Sequence, residues 1–317
     1  MTVAPKKLSP RNTGGAFLTP LRYPGGKGRL GPWLAQLMHH NGIAGGWYVE
    51  PYAGGAGVAL YLLTQKYVEH IVINDADPVV HAFWSAATQK TKALIRLIKS
   101  TPVTIETWEQ QKAIVASPKA YDVVEVGFAA FFLNRTNRSG ILSAGVIGGK
   151  AQNGTWKLDA RYNAIALCER IEHIGTLAKK ITVLPMDALD LLTSAAPGFP
   201  SKCLVYLDPP YYVKGSLLYR NYYQPEDHAA IAHCVTQASY PVVVTYDDCA
   251  EVRALYKELD SSTFSLHYST HRARPVAKEV LFYKNVSLPF DPSMTRSFHL
   301  PPADHGLHGC MPSVVSN

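Results

Sequence analysis

Leu204-Val205-Tyr206-Leu207-Asp208-Pro209-Pro210-Tyr211-Tyr212 is the stretch whose reading decides what this chain builds. Its first four residues are an apolar, β-rich run of the kind that forms a buried parallel strand; an acid, two prolines and two aromatics stop it. Proline has no backbone N–H and fixes φ, so Asp208-Pro209-Pro210 is a stiff corner that aims a carboxylate and a bare carbonyl in set directions. Two acceptors beside an aromatic plate suit an amino group on a flat ring. Taken alone, the same residues describe equally well a strand followed by a proline-stiffened loop, and the flanking chain has to decide.

Upstream, Trp47-Tyr48-Val49-Glu50-Pro51-Tyr52-Ala53-Gly54-Gly55-Ala56-Gly57-Val58-Ala59-Leu60 reads as a strand, a glycine-rich turn and an apolar helix. This is the first βα unit of a nucleotide-binding α/β fold, where small residues let the backbone pass close to a cofactor. The glycines are not spaced G-x-G-x-x-G, which argues against a dinucleotide. Ile71-Val72-Ile73-Asn74-Asp75 is a second apolar strand ending in an acid, 18 residues after Gly57. That is about the distance at which such folds set an acid on a ribose diol; Asp75 is equally placed to cap a helix starting near Pro78. Downstream, Ile181-Thr182-Val183-Leu184 leads to Asp187, and Val242-Val243-Val244-Thr245-Tyr246-Asp247-Asp248 is a further strand. Helices are expected over residues 225–237 and 250–259. Residues 263–268 and 279–283 form a terminal strand pair about the basic turn His271-Arg272-Ala273-Arg274-Pro275.

Residues 88–174 break this alternation. Helical periodicity runs through Leu94, Ile95 and Leu97, then 108–116 and 123–133, without a convincing buried strand, so a mainly helical insertion is expected. Within it Arg135, Arg138, Lys150, Lys157 and Arg161 are interleaved with Asn134 and Trp156, as on a surface that grips phosphates and reads base edges; a solvated charged loop is the plainer alternative. Asn153-Gly154 signals a hairpin turn. Near the N-terminus, Gly25-Gly26-Lys27 stands at the entrance of a helix patterned by Leu30, Trp33, Leu34, Leu37 and Met38. There backbone N–H groups and a cation can approach a ligand's acidic group, although a glycine-dependent turn explains the same residues.

Composition narrows the partners. A 317-residue chain with 47% hydrophobic residues is long enough for one large domain or a core domain with an insertion. Its formal net charge of +7 favours a polyanion, nucleic acid first. The five cysteines are odd in number and have no paired C-x-x-C spacing, so neither a disulfide framework nor a metal site is expected. No signal-peptide core and no membrane-length apolar run occur, and a reducing, cytoplasmic setting follows. Residues 1–16 are expected to be a flexible arm and residues 286–317 a disordered tail.

In combination and in this order, Arg22-Tyr23-Pro24-Gly25-Gly26-Lys27, residues 50–57, Phe132-Leu133-Asn134-Arg135 and Asp208-Pro209-Pro210-Tyr211 resemble the Dam-type (α-group) site-specific DNA adenine-N6 methyltransferases. The resemblance spans about residues 17–284. It implies a Rossmann-like, S-adenosylmethionine-binding α/β domain over residues 17–87 and 175–285, with a mainly helical target-recognition domain inserted over residues 88–174. It places Tyr23 and Lys27 on an N-terminal cofactor motif and Glu50, Tyr52, Gly54, Gly55 and Gly57 on the cofactor turn. Asp75 then falls on the ribose hydroxyls, Asp187 beside the cofactor adenine, and Asp208, Pro209, Pro210 and Tyr211 on the catalytic motif, with Asp208 also facing the cofactor. The chain departs from the motif at Tyr52, where phenylalanine is usual, and at Ala56, where strict spacing has glycine. Outside Asn134 and Arg135 the insertion is unlike that of the GATC-specific members.

The chemistry implied is transfer of a methyl group to the exocyclic amino group of a flipped adenine, without a metal. DNA contacts are expected from Asn134, Arg135, Arg138, Lys150, Trp156, Lys157, Arg161 and Tyr212. The expected partner is double-stranded DNA in a prokaryotic or phage-infected cell, with a monomeric enzyme and no obligate protein partner. Related motifs also serve cytosine amino groups, RNA adenines and protein glutamine, and an inactive DNA-binding relative would share the fold. A nicotinamide dehydrogenase fits less well.

Overall fold

The structure is a computed structural model that describes residues 18–23, 26–212, 223–267 and 276–292. Seven strands form one sheet: β1 Trp47–Glu50, β2 His70–Asn74, β3 Ile181–Leu184, β4 Cys203–Leu207, β5 Val242–Asp247, β6 Asp260–His267 and β7 Val276–Lys284. Their order is β3-β2-β1-β4-β5-β7-β6. Strands β1 to β5 run parallel, and β7 pairs antiparallel with both β5 and β6. The sheet is mixed, with parallel strands from β3 to β5 and an antiparallel pair at the β6 edge.

Alternation along the strands divides the core. Tyr48, Ile71, Ile73, Leu204, Tyr206, Val243 and Leu281 face one layer, and Val49, Val72, Val205, Leu207, Val244 and Phe282 face the other. Successive strand side chains point to opposite faces, so the near-continuous apolar strands are those of a sheet covered on both sides.

Helices α1 Gly31–His40, α2 Gly57–Thr64 and α3 Pro78–Gln89 belong to the first layer. Between α3 and β3 lie α4 Thr91–Ser100, α5 Ile105–Ala116, α6 Val123–Thr136 and α7 Ala164–Thr176, the helical run expected there. Asp122 and Glu125 start α6 with a reciprocal capping box. This run shares one core with the sheet: Phe83 and Trp84 of α3 are buried in the same cluster as Phe131 and Phe132 of α6. A boundary at residue 88 therefore cuts through α3, and the helical segment does not close a core of its own. Helix α8 Ala188–Asp190 is a single turn, and α9 Pro225–Gln237 and α10 Ala250–Leu255 cover the second face.

Three local expectations need correction. No hairpin forms at Asn153-Gly154: the segment 145–157 is turns and loop, and the bridge Asn137↔Val146 is the ladder contact described beside it. Asp77 caps α3, accepting from the Val79 N–H, while Asp75 is turned toward Gly54. Residues 286–292 are packed against the first layer: Leu288 and Phe290 lie on it, and Trp33 Nε1 donates to the Phe290 carbonyl at 3.0 Å. The arm 1–16, the remaining tail 293–317 and the turn 271–275 lie outside the described residues.

Candidate active site

The chain runs outward from β1 to β2 and β3, then returns to place β4 on the other side of β1. Loops leaving the carboxyl ends of β1 and β4 diverge at this switch point, which opens a crevice where α/β sheets bind ligands. The glycine-rich turn and the Asp208 corner are those two loops.

Glu50 ends β1 and is buried. Its Oε1 accepts from the Tyr48 hydroxyl at 3.0 Å and the Ala59 N–H at 3.3 Å. Burial outweighs these donors and pushes its carboxyl up to about 8. In the turn, Gly54 has φ +44°, and a Cβ there would stand 2.7 Å from the Tyr23 ring. Gly57 and Gly28 approach so closely that a Cβ on Gly57 would lie 3.4 Å from the Gly28 Cα. The glycines are thus what lets Tyr23 and Gly28 lie on the turn. The position with φ 45° that strict spacing would give to glycine is held by Ala56.

Asp75 follows β2 and takes the Gly54 N–H on Oδ2 at 2.9 Å and the Asp77 N–H on Oδ1 at 3.0 Å. Burial pushes it up to about 7 against those bonds. Asp187 follows β3, is exposed and accepts from the Leu189 N–H at 2.8 Å. Tyr52 donates to the Tyr223 hydroxyl at 3.0 Å. Two unforeseen residues brace this edge. Buried Asn74 donates to the Pro51 and Met186 carbonyls, each at 2.9 Å, and accepts from the Met186 N–H, tying the ends of β1 and β3 together. Trp84 Nε1 donates to the Gly54 carbonyl at 2.9 Å. A polar residue closing an apolar strand was the available signal for Asn74; nothing in the sequence singles out Trp84.

Asp208 leaves β4 with Pro209 and Pro210 buried behind it. The register Leu207↔Val244 brings Thr245 alongside, and the Thr245 hydroxyl donates to Asp208 Oδ1 at 3.1 Å. Lys27 Nζ reaches the same oxygen at 3.1 Å with its side chain only 2% exposed. The register Asp247↔Glu279 brings buried Glu279 to this end of the sheet. Its Oε2 is 3.4 Å from Lys27 Nζ, and its Oε1 accepts from the Tyr211 hydroxyl at 3.1 Å. Lys27 also donates to that hydroxyl at 3.2 Å and lies 5.0 Å from the Tyr211 ring centre. Burial raises the Asp208 pKa, and the Lys27 ammonium and the two donors oppose the rise. Thr245 and Glu279 were not foreseen; a threonine and an acid inside apolar strands were their only marks.

Of the residues expected to touch DNA, Asn134 and Arg135 face inward. Asn134 Oδ1 accepts from the Arg22 N–H, while Nδ2 donates to the Arg22 carbonyl, both at 2.7 Å, and to Gly140 O at 2.9 Å. Arg135 Nε donates to the Pro20 carbonyl at 2.7 Å. Burial, followed by Arg170, Arg22 and Arg161, pushes the Arg135 guanidinium down to about 9. These two side chains hold Pro20 and Arg22, just before Tyr23, and these hydrogen bonds go to the backbone of the protein itself. Arg138, Lys157, Arg161 and Trp156, the last 65% exposed, are on the surface, with Arg161 6.0 Å from the Trp156 ring centre. Lys150 is exposed and paired with Glu109 at 2.8 Å. Tyr212 donates its N–H to Asp247 and lies beside His228.

No helix of the described residues is long and apolar enough to cross a membrane. None of the curated proteins matches the chain. Among solved structures it is similar to the rRNA methyltransferase AviRa from Streptomyces viridochromogenes, with 14% identity, 82% of this chain and 86% of that chain covered, and a TM-score of 0.35. The family model of the D12 class N6 adenine-specific DNA methyltransferases matches residues 23–273, a span that takes in the glycine turn, the helical run and the Asp208 corner. The chain belongs to the D12 class of N6 adenine-specific DNA methyltransferases.

Proposed function

We propose that Asp208, the Pro209 carbonyl and Tyr211 present the reacting amino group of an adenine flipped out of double-stranded DNA. Membership of the class makes the reaction S-adenosylmethionine-dependent methylation of adenine N6 in DNA. The carrying observation is that Asp208 stands across the switch point from the glycine turn with Oδ1 already held by Thr245 and Lys27.

The edge suits a cationic cosubstrate: Glu50, Asp75 and Asp208 line it, each carboxyl raised by burial, and a positive charge brought to the edge favours the ionised form of each. Tyr23, Lys27, Glu50, Tyr52, Gly54, Gly55, Gly57, Asp75 and Asp187 would hold the cosubstrate, Asp75 on the ribose and Asp187 beside its adenine. When bound, it supplies a methyl group made electrophilic by a sulfonium.

The protein's task is the nucleophile. The N6 lone pair is delocalised into the ring, and Asp208 and the Pro209 carbonyl accept its two N–H bonds, gathering the lone pair toward the methyl group. This is catalysis by orientation and electrostatics. Flipping costs a few kcal/mol of unstacking, which the rings of Tyr211 and Tyr212 offset by stacking on the base. Arg138, Lys157, Arg161 and Trp156 supply the DNA-facing surface, with Lys150 at its margin. We read the enzyme as a monomer acting in the cytoplasm of a prokaryotic or phage-infected cell.

Asp208→Ala should abolish methyl transfer from tritiated S-adenosylmethionine to mixed-sequence duplex DNA while leaving cofactor affinity within about tenfold, since it removes an interaction made at the transition state. Turnover by this variant comparable with the wild type would refute the assignment.

A further inference from the structure

Glu279 lies outside every motif recognised in the sequence, yet it is buried at the catalytic corner, 1% exposed, in contact with both Lys27 and Tyr211. We propose that Glu279 is a positioning residue for methyl transfer: it takes a share of the Lys27 ammonium and the Tyr211 hydroxyl, and so leaves Asp208 a strong acceptor for the adenine amino group. The inference rests on Asp208 being that acceptor.

The argument starts from a conflict in the corner. Lys27 Nζ lies 3.1 Å from Asp208 Oδ1, and an ammonium so close draws on the electron density that the amino N–H bonds need. The same nitrogen lies 3.4 Å from Glu279 Oε2, so one cation is divided between two carboxylates. Thr245 and Lys27 both bind Oδ1, and no described residue bonds Oδ2, which is the oxygen available to an amino group. During transfer the N6 lone pair becomes the new N–C bond, the pair of the broken S–C bond stays on sulfur, and the nitrogen carries positive charge until a proton leaves to water. Negative charge kept on Asp208 stabilises that nitrogen.

Glu279 also fixes the stacking plate. Its Oε1 accepts a hydrogen bond from the Tyr211 hydroxyl at 3.1 Å, which sets the position of the ring that follows the two prolines. The site tolerates an unfavourable pairing for this, because Glu279 stands directly opposite Asp247 in the ladder and like charges there repel. Asp208 is faced by Lys27 from the N-terminal loop, Glu50 and Tyr48 from β1, Tyr206 from β4, Asp247 from β5 and Glu279 from β7.

Glu279→Gln removes the charge but keeps an oxygen that accepts from Tyr211. Two measurements test it: the carboxyl titration of Asp208, followed by 13C NMR in the free protein and assigned with Asp208→Asn, and single-turnover methylation against pH. With the ammonium transferred to Asp208, the Asp208 midpoint and the acid limb of the rate profile should both move to lower pH. The rate plateau should fall about tenfold or more, while cofactor affinity stays within about threefold. Glu279→Asp should recover part of the rate. An unmoved Asp208 midpoint, or a plateau within about twofold of wild type, overturns the role. Loss of rate with an unmoved midpoint also overturns it and leaves Glu279 a structural residue. If Asp208→Asn is itself active, the catalytic corner is wrongly assigned; if it is dead while Glu279→Gln behaves as wild type, only Glu279 is.

Discussion

Gly54 shows how much of this site rests on a missing side chain. Its φ of +44° lies in the left-handed region, and a Cβ would press on the Tyr23 ring at 2.7 Å. Gly54→Ala should cost about 1–3 kcal/mol of stability and displace Tyr23 from the turn, lowering cofactor affinity about tenfold or more. Denaturant unfolding and calorimetric titration check both. Ala56 makes the contrast, since it adopts φ 45° while its methyl is buried. Ala56→Gly relieves the backbone but loses the methyl contact and adds freedom to the unfolded chain, so its stability should stay within about 1 kcal/mol of wild type. The glycine cluster was legible in the sequence as a cofactor turn. Which residue tolerates positive φ was not, because that depends on what packs above the turn.

Helix α6 links the helical run to the cofactor edge. From its last turn Asn134 and Arg135 reach back to Pro20 and Arg22, and Gly140, just beyond, has a backbone that a Cβ could not share with the Arg22 carbonyl. Asn134→Ala strands the Arg22 N–H and two carbonyls in a buried setting, at about 1–3 kcal/mol for each group left unpaired. The variant should lose about 2 kcal/mol or more of stability and bind cofactor less tightly, with the salt dependence of its DNA binding unchanged. Arg138→Ala should do the reverse, keeping the melting temperature and lowering the slope of log affinity against log salt by about one if Arg138 holds a phosphate. Thermal melts and salt-dependent fluorescence anisotropy separate the two. Asn-Arg beside a basic loop reads as a DNA surface in sequence because residue type does not report which way a helix end faces.

At the scale of the whole molecule, the acids along the sheet edge give stability a definite pH dependence. Glu50 is raised to about 8 and Asp75 to about 7. A carboxyl whose folded pKa lies above its unfolded value keeps its proton more readily when folded. Its contribution is therefore complete below the unfolded pKa and lost as pH rises through the folded one. The wild type should lose stability relative to a Glu50→Gln/Asp75→Asn double variant as pH increases from about 5 to about 8, with the melting temperatures converging toward the acid end. S-adenosylmethionine, which brings positive charge to this edge, should raise the wild-type melting temperature more at pH 8 than at pH 6. A stability difference flat across this window would show that the two acids are not held as burial predicts.

The sequence by itself determined the parallel sheet, its two-sided burial, the glycine turn after β1 and the acid-proline corner after β4. Each of these is a local pattern of polarity, periodicity and backbone freedom carried by neighbouring residues. The helical run between β2 and β3 was legible for the same reason. Tertiary structure alone decided that Asn134 and Arg135 brace the N-terminal loop, that the helical run shares the core of the sheet, and that Thr245 and Glu279 meet Asp208 and Lys27. Those contacts join residues far apart in the chain through strand register and helix packing. A one-residue change of register would turn Glu279 to the other face of the sheet without altering any local pattern.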